Sequence, residues 1–228
     1  MSAVRTVRFL FPLLFIHATA IHAAPFAVQV GDTRLAVDAP PGFADTGFTG
    51  SPRIQELAES LTSPSNRILL FALTDGDLRR FMGGDTPELK RHTLIATPRN
   101  LEQERMRPEA FATYVADALR ELGAAPAPAA DYRKLLDPEP GKVVLLAALR
   151  RDPTVASILQ GSRLPSPPAG LFDKEKPAKY VLSSTTLLLV RGRTLTLQVF
   201  SAYDGPADAD WLRTTTVRWA DELQRLNR

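Results

Sequence analysis

Two long apolar arms that meet at Arg191-Gly192-Arg193 constrain the fold more than any other feature of this 228-residue chain. The second arm alternates without a break: Leu195, Leu197 and Val199 on one side, Thr194, Thr196 and Gln198 on the other. Strict alternation is the mark of a strand whose two faces meet different surroundings. A short joint with a central glycine between two such arms reads as a β-hairpin over 180–190 and 194–200, with Gly192 in the tight turn. The hairpin commits the chain to antiparallel pairing. The tip arginines, Arg191 and Arg193, read as charges that guard a sheet edge against aggregation.

The remaining segments extend this pattern. Residues 26–30 and 33–39 read as a second hairpin turning at Gly31-Asp32 and closed by Pro40-Pro41-Gly42. The glycine-rich stretch 42–50 reads as loop. Residues 68–73 form an unbroken apolar run too short for a helix, which predicts a central strand buried on both faces. Residues 93–97 predict a short strand ended by Pro98. Residues 143–149 predict a second wholly apolar strand, with 155–159 returning beside it.

Three helices carry apolar stripes. Ser51-Pro52 supplies a cap residue and an N1 proline ahead of Ile54, Leu57, Ala58 and Leu61. Pro108 and Gly123 bracket Phe111, Tyr114, Val115, Ala118, Leu119 and Leu122. A terminal helix from about 208 to 226 aligns Leu212, Thr215, Trp219, Leu223 and Leu226. Trp211 and Trp219 lie near one face of it and read as packing residues. A shorter helix begins at Thr74-Asp75-Gly76-Asp77 and stops at Gly83-Gly84. The Ala/Pro-rich stretch 124–130 reads as a stiff connector and the proline-rich 164–177 as a long surface loop. The expected class is α+β: an antiparallel β-sheet built from hairpins, about three amphipathic helices packed on it, and the C-terminal helix closing a single domain over 25–228.

Residues 1–24 have the layout of a secretory signal peptide. Arg5 and Arg8 precede an apolar core, 9–16, and Ala20, Ala23 and Ala24 offer cleavage positions. The core is too short to span a bilayer, which takes ~20 apolar residues. No later segment is longer, so the mature chain is expected without a transmembrane segment, periplasmic or secreted. Of the 28 basic residues, two sit in this leader, and 25 acidic residues leave the remainder at +1. That balance gives no electrostatic footprint for nucleic acid. There is no cysteine, hence no disulfide, no lipid-anchored cysteine, no thiolate nucleophile and no thiolate metal site. Export without disulfides fits a bacterial envelope.

Catalytic motifs are sparse. Beyond the leader region only His92 remains, so any Ser-His-Asp arrangement must use it. No G-x-S-x-G elbow, P-loop or G-x-G-x-x-G occurs. The carboxylate pairs Asp75/Asp77, Asp137/Glu139 and Asp208/Asp210 lack the further oxygen ligands of a calcium loop, and acids at helix starts are favoured by capping and the helix dipole. No cofactor is called for. The oddest local feature is Arg67 before the 68–73 run and Arg79-Arg80-Phe81 after it. Paired arginines beside an aromatic are suited to an anion or a partner loop, so these four are the candidate partner-binding residues.

The stretch from Ser51-Pro52-Arg53 to Phe81, with residues 55–59 and 67–72, resembles a group of uncharacterised exported bacterial proteins. The hairpin turning at Arg191-Gly192-Arg193, followed by Asp210-Trp211-Leu212 and Trp219, resembles the closing hairpin and helix of the PsbP/DcrB-like fold. The resemblance implies an antiparallel sheet with helices packed on it. It also implies a small accessory or binding module with no catalytic residues to carry over. The expectation is an exported, non-enzymatic binding or accessory module of the bacterial cell envelope, contacting an envelope protein or small ligand. The alternatives are a periplasmic hydrolase using carboxylates or His92, and a structural or self-associating envelope protein.

Overall fold

Nine strands form two antiparallel sheets in the computed structural model, which describes residues 25–120, 122–126, 131–165 and 177–228. The leader, residues 127–130 of the connector and residues 166–176 of the proline-rich loop lie outside the described residues. Strands β1 (Phe26–Val30) and β2 (Thr33–Val37) make the small hairpin. The large sheet contains β3 (Phe43–Asp45), β4 (Asn66–Thr74), β5 (Arg91–Pro98), β6 (Val144–Asp152), β7 (Val155–Arg163), β8 (Tyr180–Val190) and β9 (Arg193–Ala202). Its order is β3-β4-β5-β9-β8-β7-β6, antiparallel throughout. With five helices on these sheets, the last of them C-terminal, the class is α+β.

The long hairpin forms as its alternation requires. Val190 pairs with Arg193, and Gly192 holds φ +78° in the turn, a conformation glycine adopts without strain. Residues directly opposite one another share a face, so the register sorts the core into two layers. On one face, Ile95, Leu197 and Leu70 pack with the β1–β2 hairpin and with helices α4 (Arg133–Leu136) and α5 (Pro206–Leu226). On the other, Phe71, Leu73, Leu94 and Ala96 receive α1 (Pro52–Ser60) and α2 (Asp75–Met82). Further along that face, Ala156, Leu187 and Leu189 receive α3 (Pro108–Arg120) through Phe111 and Val115. β4 is thus buried on both faces, as its apolar run predicts.

Three expectations need correction. Residues 42–50 are not all loop: 43–45 form the edge strand β3, because Pro40-Pro41-Gly42 returns the chain alongside β4. The wholly apolar run 143–149 does form a strand paired with β7, as expected: β6 begins at Val144 and lies at the sheet edge with two register shifts, and Val143 just before it is 55% exposed. Arg193 does not guard the tip. It is in phase with Leu195, Leu197 and Val199, so its side chain points under the β1–β2 hairpin and is 1% exposed. The terminal helix also buries Thr216 in place of Thr215, with its hydroxyl against that of Ser184 at 2.5 Å.

The carboxylates near helix starts are held by local hydrogen bonds. Thr74 caps α2 by accepting the Asp77 N–H at 3.2 Å, and Asp77 accepts the Glu88 N–H at 2.9 Å. Asp208 accepts N–H bonds from Asp204 and Gly205 at the start of α5 and pairs with Arg91 at 2.9 Å. Replacing Thr74 with alanine removes a cap on a helix that seats Leu78 and Phe81 in the core. About 1 kcal/mol of stability should be lost. Thermal unfolding checks this, with a fall of about 2–4 °C expected for a chain of this size.

Candidate functional site

The order of the sheet leaves a gap at one edge. β3 pairs with only Ala72, Leu73 and Thr74 of the nine-residue β4. Thr46 ends the ladder with its N–H (2.9 Å) and its hydroxyl (2.8 Å) both on the Phe71 carbonyl, and the chain then turns away. No described strand pairs with the outer edge of β4 at residues 66–70. A one-residue register shift between Ile68 and Leu70 in the pairing with β5 marks a bulge in β4 on the side away from this edge. Bulges bend the strand and recur beside functional sites.

In front of this edge lies a cleft of about 660 Å³. One wall is α1, through Ile54, Gln55, Ala58 and Glu59, and Phe26 of β1 contributes to the lining. Residues 66–71 of β4 line it between them. The two ends differ in charge. At one end stand Asp45 and the 3₁₀ turn Gly47–Thr49, whose Phe48 is 72% exposed. Burial raises the pKa of the Asp45 carboxyl from its ordinary value, opposed by hydrogen bonds from the Gly47 and Thr46 backbone. At the other end stand Arg67 and Arg99. Arg67 pairs with Glu102 at 2.9 Å and donates to the Gln29 carbonyl, while its buried Nε has no hydrogen-bond partner. Arg99 donates through Nε to the Pro64 carbonyl at 3.2 Å and its side chain is exposed. The lining mixes apolar side chains, Phe26, Ile54, Ala58 and Leu69, with placed polar groups of the kind that orient a ligand.

The four sequence candidates are not brought together. Arg67 opens β4, whereas Arg79, Arg80 and Phe81 lie on α2 beyond its far end, a separation of about 23 Å along the strand. Phe81 is buried in the α1–α2 layer, and the Arg53 guanidinium lies 5.0 Å from its ring centre. Arg80 is paired with Glu88, and Arg79 is exposed. Asp45, Arg99 and the open edge escaped the sequence reading. The only signal for them was the run Gly47 to Gly50 ahead of a helix.

His92 is 6% exposed and sits among rings, stacked on Phe200 at 4.4 Å and edge-on to Phe71 at 6.2 Å. Neither ring nitrogen meets a side-chain hydroxyl, so none is held for attack. A second groove, about 650 Å³, runs between residues 38–41 and α5. Trp219 lines it but donates its indole N–H to the Asp38 carbonyl at 2.8 Å. Trp211 already carries the Arg91 guanidinium at 4.0 Å. Among the described residues no cluster of three metal-binding side chains occurs, and no helix is long and apolar enough to cross a membrane.

No family model matches the chain, and no curated protein matches it. Among solved structures, the Ran-binding protein Mog1p of Saccharomyces cerevisiae aligns with a TM-score of 0.36 and 12% identity, covering 90% of this chain and 92% of that one.

Proposed function

We propose that this chain is an exported, non-enzymatic binding or accessory module of a bacterial envelope, and that its ligand occupies the cleft between α1 and β4. The observation that carries the binding role is the cleft itself: an uncovered strand edge beside a mixed apolar and polar wall that includes Glu59, with Asp45 at one end and the guanidinium groups of Arg67 and Arg99 at the other. Export rests on the leader at 1–24 and on the absence of cysteine. The resemblance of residues 51–81 to exported bacterial proteins agrees with it.

Gln55 is exposed on the cleft wall, so Gln55→Trp puts bulk over the mouth without touching the core. A peptide and metabolite fraction of envelope extract is expected to raise the Tm of the wild type by about 5 °C and that of the variant by less than half as much. Equal shifts in both proteins contradict the cleft. Hydrolysis of an esterase, phosphatase or glycosidase substrate, abolished by His92→Ala or Asp77→Asn, overturns the non-enzymatic reading. The native protein is expected to start after Ala20, Ala23 or Ala24 by mass spectrometry, and an intact Met1 overturns export.

A further inference from the structure

The open edge of β4 is chemically specific. A strand edge presents unpaired N–H and C=O groups in a row, and an extended chain satisfies them by joining the sheet. Folded proteins usually cover, shorten or charge such edges. Here β3 shields only three residues, and the cleft follows the uncovered part. From Leu70 to Asn66 the uncovered edge runs about 13 Å, the span of a five-residue extended chain.

The charges at the two ends fix a direction. A strand continuing the line of β3 runs antiparallel to β4, so its start lies beside Asp45 and its end beside Arg67 and Arg99. A free ammonium at the start meets the Asp45 carboxylate, and a free carboxylate at the end meets the exposed Arg99 and, beside it, Arg67, which is paired with Glu102 but keeps its Nε unpartnered. The reverse direction sets like charges together at both ends. Alternate side chains of such a strand point to opposite faces of the sheet, toward α1 on one and toward β1 on the other.

We propose that the cleft takes a short free peptide of about five residues, added antiparallel to the open edge of β4, its carboxylate at Arg67 and Arg99 and its ammonium at Asp45. This rests on the binding role proposed above and names the ligand class. A free peptide is favoured over the tail of a protein because both ends of the cleft carry the charge that meets a terminus.

The test is isothermal titration of the full mature chain with the unblocked pentapeptide Ala-Val-Thr-Val-Ala and two blocked forms. Amidating the C-terminus is expected to weaken binding about tenfold, and Arg99→Ala to weaken the unblocked peptide similarly while leaving the amidated form unaffected. Acetylating the N-terminus is expected to weaken binding several-fold in the wild type but not in Asp45→Asn. Arg99 and Asp45 are not core residues, and circular dichroism checks that both variants remain folded. Methylating every backbone nitrogen of the peptide is expected to abolish binding. Binding unaffected by that methylation overturns strand addition. Indifference to acetylation with sensitivity to amidation points to a protein tail and overturns the free-peptide assignment. No peptide binding, with the extract still shifting the wild type and not Gln55→Trp, overturns the ligand class alone. No shift from either source removes the binding role as well.

Discussion

Replacing Arg193 with methionine is expected to destabilise the fold by about 3 kcal/mol, because the fork of a buried guanidinium is what joins three separate segments. Its Nε donates to the Thr33 hydroxyl at 3.1 Å, and its Nη1 to the carbonyls of Glu102 (3.1 Å) and Glu104 (2.7 Å). Its Nη2 reaches Asp32. Arg105 and Arg193 together hold the Asp32 carboxyl down to about 2, but Asp32 is exposed and that pair contributes little by itself. The larger cost is the two carbonyls left without donors. Thermal unfolding should show a fall of about 6–12 °C. Arg193→Lys keeps the charge but not the fork, and should recover less than half of the loss. Arg105→Ala removes only an exposed contact and should change Tm by less than about 2 °C. A fall as small as that for Arg193→Met would mean the buried fork does not hold these segments. The packing is close enough that a Cβ on Gly31, at φ +55°, would sit 2.5 Å from the Glu102 carbonyl oxygen and 2.9 Å from the Arg193 Cζ.

Acid should weaken the fold through His92. Burial lowers its pKa from 6.5 to about 4, opposed by the Leu89 backbone and the charge of Asp77. A folded-state pKa below the unfolded one means the unfolded chain binds the extra proton. The stabilisation from a neutral His92 is therefore complete above pH 6.5 and is lost as pH falls toward 4. Linkage makes this loss about 2.5 kcal/mol at pH 4.5 relative to pH 7.5. His92→Phe keeps a ring between Phe71 and Phe200 and has nothing to protonate. Urea unfolding at the two pH values should show the wild type losing that much more than the variant. Equal losses would place the proton elsewhere.

Much of the architecture was legible because it rests on local chemistry. Alternation at 194–199 and Gly192 set the long hairpin, and Pro52 and Pro108 marked two helix starts. What escaped depends on contacts between distant segments. Arg193 reads as an exposed tip charge until the β1–β2 hairpin is laid over it. The run 143–149 is as apolar as 68–73, yet one forms an edge strand and the other lies second from the opposite edge, since strand order is not written in either run. Arg67, Arg79, Arg80 and Phe81 flank one strand and look adjacent in the chain, but the strand between them holds them apart. The cleft was invisible for the same reason. It exists because β3 stops after three residues, and nothing local to β4 records that its neighbour is short.

Amide hydrogen exchange in the mature chain, with and without the unblocked pentapeptide, tests the central claim most directly. Slowing of at least tenfold confined to residues 67–71 and to α1 is the expected result, since an added strand shields both the edge and the wall beside it. Unchanged exchange at 67–71, or slowing confined to residues 38–41 and α5 around Trp211, would contradict a functional role for the open edge of β4.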